Sequence, residues 1–179
     1  MNGEEFRDGI YSLNTRRFGT VAEVMIKRLV GLGKNRNLFH DLYDDVKKRR
    51  VEVKFSVVRK KSDTPINENT VLQCIEEAVS EHRMVEFDKW KQFEFDCNIQ
   101  QIKRTEFEVL YYGLFFSDCV LIFRINNDQI GAQIYYSDRQ HKGNVGEGQF
   151  HVNQKTLQIH LDNYLYKKLT YQDLYEVLS

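Results

Sequence analysis

The sequence predicts an α/β protein of the α+β type, with a central mixed β-sheet flanked by helices in a single domain. Segments with helical and strand-like apolar periodicity alternate along the chain, which is typical of a sheet with helices on its faces. Residues 118–125 form a nearly continuous apolar run, as in a strand buried on both faces. The 179 residues, 41% of them hydrophobic, can form one core and are few for two domains, so we expect residues 1–179 to be one domain.

The first third of the chain predicts an amphipathic helix followed by a β-hairpin. Apolar residues recur at helical spacing over residues 18–32. Residues 38–44 and 50–58 predict two strands joined by a tight charged turn. Because side chains alternate between the two faces of a strand, Glu52 and Lys54 are expected side by side on one face.

The remaining two thirds predict further helices and strands in alternation. The predicted elements are a helix over residues 67–84, a strand over 95–102, a helix over 105–116, a strand over 118–125, a short strand over 134–136, a loop over 137–149, a possible hairpin over 150–160 and a terminal helix over 171–178. The apolar stripe expected to be buried in the first of these helices consists of Val71, Leu72, Ile75, Ala78 and Val79.

The composition narrows the classes of function. The 26 basic and 26 acidic residues give no net charge, which counts mildly against a nucleic-acid-binding protein. The charges are uneven, however. Basic runs at 47–50 and 59–61 flank the second hairpin strand, and Asp41, Asp44 and Asp45 cluster on the first. A metal-dependent nuclease needs both signs, carboxylates for the ion and cations for phosphates, whereas solvated strand ends are the plainer interpretation.

The sequence favours a cytoplasmic protein that does not contact a membrane. No stretch approaches the roughly 18–20 apolar residues of a membrane helix, and the polar N-terminus is unlike a secretory signal. Cys74, Cys97 and Cys119 lack the spacing of metal ligands and predict buried thiols in a reducing compartment. His151 and His160 are likewise not spaced like a zinc site and are expected on the surface or in the core.

The hairpin brings together residue types that suit chemistry on a phosphodiester. In FHDLYDDVKKRRVEVKFS, antiparallel pairing would bring an aspartate close to the Glu-Val-Lys element. Carboxylates from Asp41 and Glu52 suit Mg²⁺, and Lys54 could orient or deprotonate a water or stabilise charge on the phosphate. The choice of aspartate among Asp41, Asp44 and Asp45 stays open, with Asp41 favoured because it lies in the middle of its strand.

Three segments carry a resemblance to a known family: RRFGTVAEVMIKRL, HDLYDD and VEVKFS. They resemble the PD-(D/E)XK nuclease superfamily, specifically type II restriction endonucleases, in which a helix carrying a glutamate precedes a hairpin with the aspartate and the E-x-K element. NIQQIKRTEFEVLYYGLFF and YSDRQHKGNVGEGQFHVN also look like segments of small restriction enzymes. The resemblance covers a restriction-endonuclease-like core of about residues 16–125, and residues 126–179 would build recognition and dimer contacts. The motif's proline is absent, since His40 precedes Asp41.

The resemblance implies a role for each residue of the motif. Asp41 and Glu52 would bind Mg²⁺, for which Mn²⁺ could substitute, and Lys54 would act on the attacking water. Glu23 would give outer support or serve as a further ligand, and Asp44 is the alternative to Asp41. The implied activity is sequence-specific hydrolysis of double-stranded DNA by a homodimer, alongside a DNA methyltransferase that acts on the same site.

Further residues are predicted to contact DNA. Gln100 and Gln101, at the end of a strand, could position a phosphate or the attacking water, and Lys103 could touch phosphate. Amides bonded to the backbone are the alternative interpretation. The loop residues predicted to read base edges are Arg139, Gln140, His141, Lys142 and Asn144.

Two rival functions stay open at this point. A junction resolvase or mismatch-nicking enzyme would share the same core and the same charged residues but recognise DNA shape. A non-catalytic DNA-binding or protein-binding module would carry the hairpin charges merely as solvated groups.

Overall fold

A mixed six-stranded β-sheet is the centre of the computed structural model, which describes residues 2–34, 39–139 and 146–179. The strands are β1 (Gly33–Lys34), β2 (Leu42–Asp44), β3 (Arg49–Val57), β4 (Asp96–Ile102), β5 (Val109–Phe115), β6 (Cys119–Asn126), β7 (Gly148–Asn153) and β8 (Leu165–Thr170). The sheet order is β1-β2-β3-β5-β6-β8, in which β3 and β5 run parallel and the other neighbours are antiparallel. β4 and β7 pair separately as a two-stranded antiparallel ribbon.

Helices cover both faces of this sheet. The α-helices are α1 (Gly3–Tyr11), α2 (Thr15–Val30), α3 (Val71–Glu77), α4 (Ser80–Arg83), α5 (Leu157–Tyr164) and α6 (Tyr171–Leu178), and 3₁₀ turns span Phe87–Gln92, Asn127–Gln129 and Ala132–Ile134. Asn14 caps α2 by accepting a hydrogen bond from the backbone N–H of Arg17, and Gly31, in the left-handed conformation, ends it. Within the described ranges, no helix is long and apolar enough to cross a bilayer.

The sheet separates two apolar clusters. On one face, α1, α2 and α6 bury side chains that include Ile10, Met25, Ile26 and Leu174. On the opposite face, the β4–β7 ribbon and α5 bury side chains that include Ile99, Phe150, Val152 and Leu157. The chain is thus a single α+β domain with a mixed sheet between two outer layers, which confirms the predicted fold class at this level.

Several predicted elements are present in the structure. The sequence pattern of each lies within one short segment, so it can be recognised without knowledge of the tertiary fold. The helix predicted over 18–32 forms as α2, and the strand predicted over 50–58 forms as β3. The strand predicted over 38–44 forms only in part, because β2 begins at Leu42 and Asp41 precedes it. The strands predicted over 95–102 and 118–125 form as β4 and β6. The terminal helix predicted over 171–178 forms as α6, which a capping box between Thr170 and Asp173 begins.

The helix predicted over residues 105–116 is wrong. Residues 109–115 instead form β5, a strand that lies between β3 and β6 with every side chain buried. A strand with two apolar faces has no alternation between polar and apolar positions, so its residues can be fitted to helical spacing as well.

The long helix predicted over residues 67–84 is also wrong in length and in its buried face. Two short helices, α3 and α4, replace it, and Val79 between them is non-helical, with φ −58° and ψ 128°. The stripe expected in the core is exposed: Leu72 keeps 73% and Ile75 61% of their accessible surface. Helical spacing predicts a helix here, but it does not predict which part of the fold would cover the apolar face of that helix.

The last third departs from prediction in three places. Residues 134–136 are not a strand, because Ala132–Ile134 forms a 3₁₀ turn and Tyr135 follows with φ 56°. The hairpin predicted over 150–160 is instead the end of β7 followed by α5. Helix α1 and strand β8 are absent from the prediction, since each is short.

Gly113 lies in the middle of β5, where a β-carbon would collide with the ring of Phe55 and the carbonyl oxygen of Leu121. We expect Gly113→Ala to lower the free energy of unfolding by about 1–3 kcal/mol, because both neighbouring strands resist displacement. Urea unfolding measures the change. Gly19→Ala, in α2, is the matched control, since a β-carbon there meets no atom within 4 Å and alanine favours a helix. Equal stabilities of the two variants would contradict this packing argument.

His160 is fully buried, and its Nδ1 atom lies 2.7 Å from the hydroxyl of Tyr112. Burial lowers the pKa of His160 to about 4, whereas the imidazole of the unfolded chain titrates near 6.5. Between these values the unfolded state binds a proton that the folded state does not. The free energy of unfolding should therefore fall as the pH drops from 6.5 towards 4, by up to about 1.4 kcal/mol per pH unit from this group.

Urea unfolding at several pH values between 7 and 4.5 tests this prediction when the wild type is compared with His160→Gln. The comparison is needed because buried carboxylates titrate in the same range. The difference in stability between the two proteins should shift in favour of the variant as the pH falls. A difference that stays constant over this range would show that His160 carries no such pH dependence.

Candidate functional site

Asp41 lies directly before β2, at the point where the hairpin register brings it next to β3. Leu42 pairs with Val51, so one further step along the antiparallel register places Asp41 opposite Glu52. The Oδ2 atom of Asp41 accepts a hydrogen bond from the backbone N–H of Val53 at 2.8 Å. The carboxylate of Asp41 is thus held by β3 itself, beside Glu52.

Glu52 and Lys54 form a mostly buried ion pair on one face of β3. The Nζ atom of Lys54 donates to Oε1 of Glu52 at 2.5 Å, and the two side chains are 25% and 12% exposed. Burial raises the pKa of Glu52 to about 7; the charge of Lys54 opposes this rise and that of Asp41 adds to it. Burial alone would lower the pKa of Lys54, but the negative charges of Glu52 and Asp41 outweigh burial and raise it. Lys54 is therefore an ammonium ion and a hydrogen-bond donor in this arrangement.

Glu23, on α2, belongs to the same group of charges. It is half-buried, and burial followed by the charge of Asp41 raises its pKa, while Lys54 lowers it. Glu23 in turn contributes to the raised pKa of Lys54. The helix and the hairpin that the sequence singled out thus bring Glu23, Asp41 and Lys54 close enough for their charges to interact.

The other two aspartates of the hairpin lie away from this group. Asp44 closes the turn: it accepts from the backbone N–H of Lys47 at 2.9 Å and from the guanidinium of Arg49 at 3.3 Å. These contacts, the backbone N–H of Lys47 first, lower the pKa of Asp44. Asp45 is exposed in the turn, and its carboxylate lies beside Gly33. The geometry favours Asp41 as the aspartate of the site.

Asp41, Glu52 and Lys54 line a polar cleft of about 260 Å³. The end of the β4–β7 ribbon contributes to the same cleft through Lys103 and Glu147. The remaining residues that line it are Phe39, His40, Gln101 and Glu106. The ammonium of Lys103 lies 3.8 Å from the carboxylate of Glu106 and 3.9 Å from that of Glu147. Three elements distant in sequence, the hairpin, β4 and β7, therefore meet at one cleft.

Sequence reasoning missed Glu147, a buried acid with only 6% of its surface exposed. It lies directly before β7, and the pairing of Gly148 with Ile102 brings it to the cleft. That pairing joins segments far apart in the chain, so no local pattern reveals it. Glu106 also falls outside the predicted site, because its segment, residues 105–116, is predicted to be a helix.

The predicted DNA contacts are divided between the cleft and its surroundings. Gln101 and Lys103 line the cleft, whereas Gln100 is exposed on the ribbon next to it. Arg139 is exposed and accepts, through its backbone oxygen, a hydrogen bond from Ser137. Gln140, His141, Lys142 and Asn144 lie outside the described residues.

The donors of the cleft fit Mg²⁺ as a partly hydrated ion. Among the described residues there is no group of three or more His, Cys, Asp and Glu side chains arranged to hold a metal. Mg²⁺ does not need one, because proteins commonly bind it through one or two carboxylates, with water and phosphate oxygens as the other ligands. Asp41 and Glu52 provide two such carboxylates, each with a second oxygen beyond the one bonded to Val53 or Lys54.

Comparison with known proteins gives no relative: no family model, no curated protein and no solved structure matches this chain. The assignment of a function therefore depends on the geometry of the cleft and on its physical chemistry.

Gln101 has a left-handed backbone conformation, with φ 58°, at a register shift between β4 and β7. A residue with a β-carbon pays roughly 1–2 kcal/mol for this conformation, and glycine does not. We expect Gln101→Gly to be more stable than Gln101→Ala by about 1 kcal/mol. At Gln100, the order should be reversed, because glycine weakens a strand.

Thermal and urea unfolding of these four variants give the test. Comparing glycine with alanine at the same position removes the effect of losing the amide group. If alanine is the more stable residue at both positions, the bulge at Gln101 does not strain the backbone.

Proposed function

We propose that this protein is a Mg²⁺-dependent endonuclease that hydrolyses phosphodiester bonds in double-stranded DNA. One observation carries the proposal: Asp41, Glu52 and Lys54 line one polar cleft, and the charge of Glu23 interacts with those of Asp41 and Lys54. Two carboxylates and a cation around a cleft are the groups that metal-assisted attack on a phosphodiester requires.

Asp41 and Glu52 are the residues that would hold the ion. When bound, Mg²⁺ supplies Lewis-acid stabilisation of charge on the phosphate and makes a bound water more acidic. Mn²⁺, which takes similar oxygen ligands, would substitute. The hydrogen bond from Val53 N–H fixes the orientation of Asp41, so this carboxylate needs little rearrangement to serve as a ligand.

Lys54 serves as an electrostatic and hydrogen-bonding group. Its ammonium is held against Glu52, and the surrounding carboxylates keep it protonated. A fixed ammonium can stabilise negative charge that builds on a phosphate oxygen and orient a nearby water. Lys103 provides a second cation at the edge of the cleft, where it could contact a phosphate.

The finer assignment within this proposal is a type II restriction endonuclease with a PD-(D/E)XK core. It is supported by the order of α2 carrying Glu23, β2 following Asp41, and β3 carrying Glu52 and Lys54, which agrees with the resemblance of the three sequence segments. Under this assignment the enzyme cuts a specific sequence as a homodimer in the cytoplasm, and a DNA methyltransferase protects the same sequence.

Plasmid cleavage in Mg²⁺ tests the proposal. We expect Asp41→Ala, Glu52→Ala and Lys54→Ala each to lower the cleavage rate by at least about 100-fold, since each removes a metal ligand or a group that stabilises the transition state. Asp44→Ala is the matched control: it removes an aspartate of the same hairpin that lies in the turn, so it should weaken stability slightly and leave cleavage intact. Circular dichroism and thermal unfolding establish that each variant is folded.

Two features of the products separate the possible outcomes. Discrete fragments with identical ends support the restriction assignment, whereas cutting confined to branched or mismatched DNA would limit the proposal to a structure-specific nuclease. Cleavage that persists in chelator, or in folded Glu52→Ala and Lys54→Ala, would refute the proposed mechanism.

A further inference from the structure

The outer face of the β4–β7 ribbon is formed by polar side chains. The side chains on its inner face, Cys97, Ile99, Ile102, Phe150 and Val152, are buried in the core. The outer face consists of Asp96, Asn98 and Gln100 on β4 and of Gln149, His151 and Asn153 on β7. In the register these pair directly across the ribbon, as Asp96 with Asn153, Asn98 with His151 and Gln100 with Gln149. Such a concentration of amide and imidazole groups is not needed to form a ribbon, for which β-branched and aromatic residues are favoured.

Hydrogen bonds hold the side chains of this face in fixed orientations. The amide nitrogen of Asn98 donates to the side-chain oxygens of Gln149, at 3.0 Å, and Gln100, at 3.3 Å. Each of these glutamines therefore turns its oxygen towards Asn98 and its NH₂ group away from it. The Nδ1 atom of His151 lies 2.9 Å from the carboxylate of Asp96, an acceptor, so Nδ1 carries a proton; Nε2 is then an acceptor in the neutral ring and a donor in the charged ring.

Asn98 also shows that the arrangement is not optimal for stability. Its Oδ1 atom is buried and has no hydrogen-bond partner among the described residues. Leaving a buried acceptor unsatisfied costs free energy, and such exceptions call for another explanation. Positioning Gln149 and Gln100 from the nitrogen side of the same amide provides one.

The dimensions of the ribbon match the major groove of B-DNA. Two paired strands lie about 4.8 Å apart, and the groove is about 12 Å wide, enough to admit a two-stranded ribbon. Three outward positions on one strand extend over about 14 Å, since the rise is about 3.4 Å per residue. The rise per base pair is also about 3.4 Å, so the face spans about four base-pair steps.

The ribbon also leads directly into the candidate active site. Gln100 on its outer face is followed by Gln101, which lines the cleft, and Lys103 stands at the cleft edge. At the far end, Lys61 and Lys155 lie around a second depression, next to Asp96 and His151. Cations at both ends of a polar ribbon suit the phosphates on either side of a groove.

We infer that the outer face of the β4–β7 ribbon reads base edges in the major groove of the DNA that the cleft cuts, with Gln100, Gln149 and His151 as the reading residues. The NH₂ groups of the glutamines would donate to purine N7, guanine O6 or thymine O4, and Nε2 of His151 would, in the neutral ring, accept from an exocyclic amine. Asn98 is a positioning residue for the two glutamines. This inference rests on the proposed nuclease function, and it assigns sequence recognition to the ribbon instead of to the 137–149 loop alone.

The test begins with digestion of a mapped plasmid by the full-length wild type in Mg²⁺, which defines the cut site. Values of kcat/KM are then measured on a duplex with this site and on duplexes that each change one base pair. The variants are Gln149→Ala, His151→Ala and Asn98→Ala. Gln172→Ala on α6 and His82→Ala on α4 remove the same side-chain types from surfaces away from the ribbon and serve as controls.

We expect Gln149→Ala and His151→Ala each to lose about 5- to 100-fold of the discrimination at one or two base pairs, with Mg²⁺-dependent cutting retained. Asn98→Ala should relax discrimination at the same base pair as Gln149→Ala; a merely structural role would lower thermal stability without changing base preference. If a variant cuts too slowly to measure, its affinity for the site and for a scrambled duplex replaces the rate, and loss confined to the site supports base reading.

Two results would overturn the inference alone: wild-type discrimination in the ribbon variants, or an equal loss of affinity for the site and the scrambled duplex. A wild type that neither binds nor cuts DNA would overturn the proposed function and this inference with it. The wild-type digest therefore distinguishes failure of the proposed function from failure of the ribbon assignment.

Discussion

The antiparallel register between β2 and β3 is the constraint on which the candidate site depends. Side chains alternate along a strand, so a slip of one residue would turn Glu52 and Lys54 away from the cleft and direct apolar side chains into it. Asp41 helps to hold this register because its carboxylate accepts the N–H of Val53 on β3, whereas the contacts of Asp44 are local to the turn. The contact that positions Asp41 for chemistry thus also stabilises the strand that carries its partners.

The rest of the fold supports a group of charges that is costly to bury. A buried ion pair contributes little to stability after its desolvation, and a second carboxylate beside it, that of Asp41, adds repulsion. The rigid surroundings of β3 make this arrangement possible, since β5 and β6 fill both sides of the sheet with apolar side chains. Two other features also cost free energy. Gln101, with its left-handed backbone, lines the same cleft, and Asn98, with its unsatisfied oxygen, lies on β4, the strand that leads to the cleft. Such features concentrate where function, not stability, determines the structure.

The sequence predicts those features that depend on interactions between residues close together in the chain. The pair of Glu52 and Lys54 follows from strand alternation alone, and α2 from helical spacing. The choice of Asp41 over its neighbours required the turn geometry, which three candidate aspartates within five residues leave undetermined. The misassignment of residues 105–116 arose because full burial removes the alternation that marks a strand. Glu147 could not be found at all, since only the non-local pairing of β4 with β7 brings it to the cleft.

A formal net charge of zero is unfavourable for a DNA-binding protein only if the positions of the charged side chains are ignored. The charge of Asp41 interacts with those of both Glu23 and Glu52, and without a metal ion these charges would repel a phosphate. A divalent ion held there would offset the local excess of negative charge, so metal and phosphate should bind cooperatively at this point. Base reading by the ribbon, as inferred above, would need no large excess of cations, because amide and imidazole groups would contact bases by hydrogen bonding. A chain with no net charge could therefore bind DNA through a few cationic side chains at defined positions and a metal ion. The acidic residues that the proposed chemistry requires would balance its formal charge.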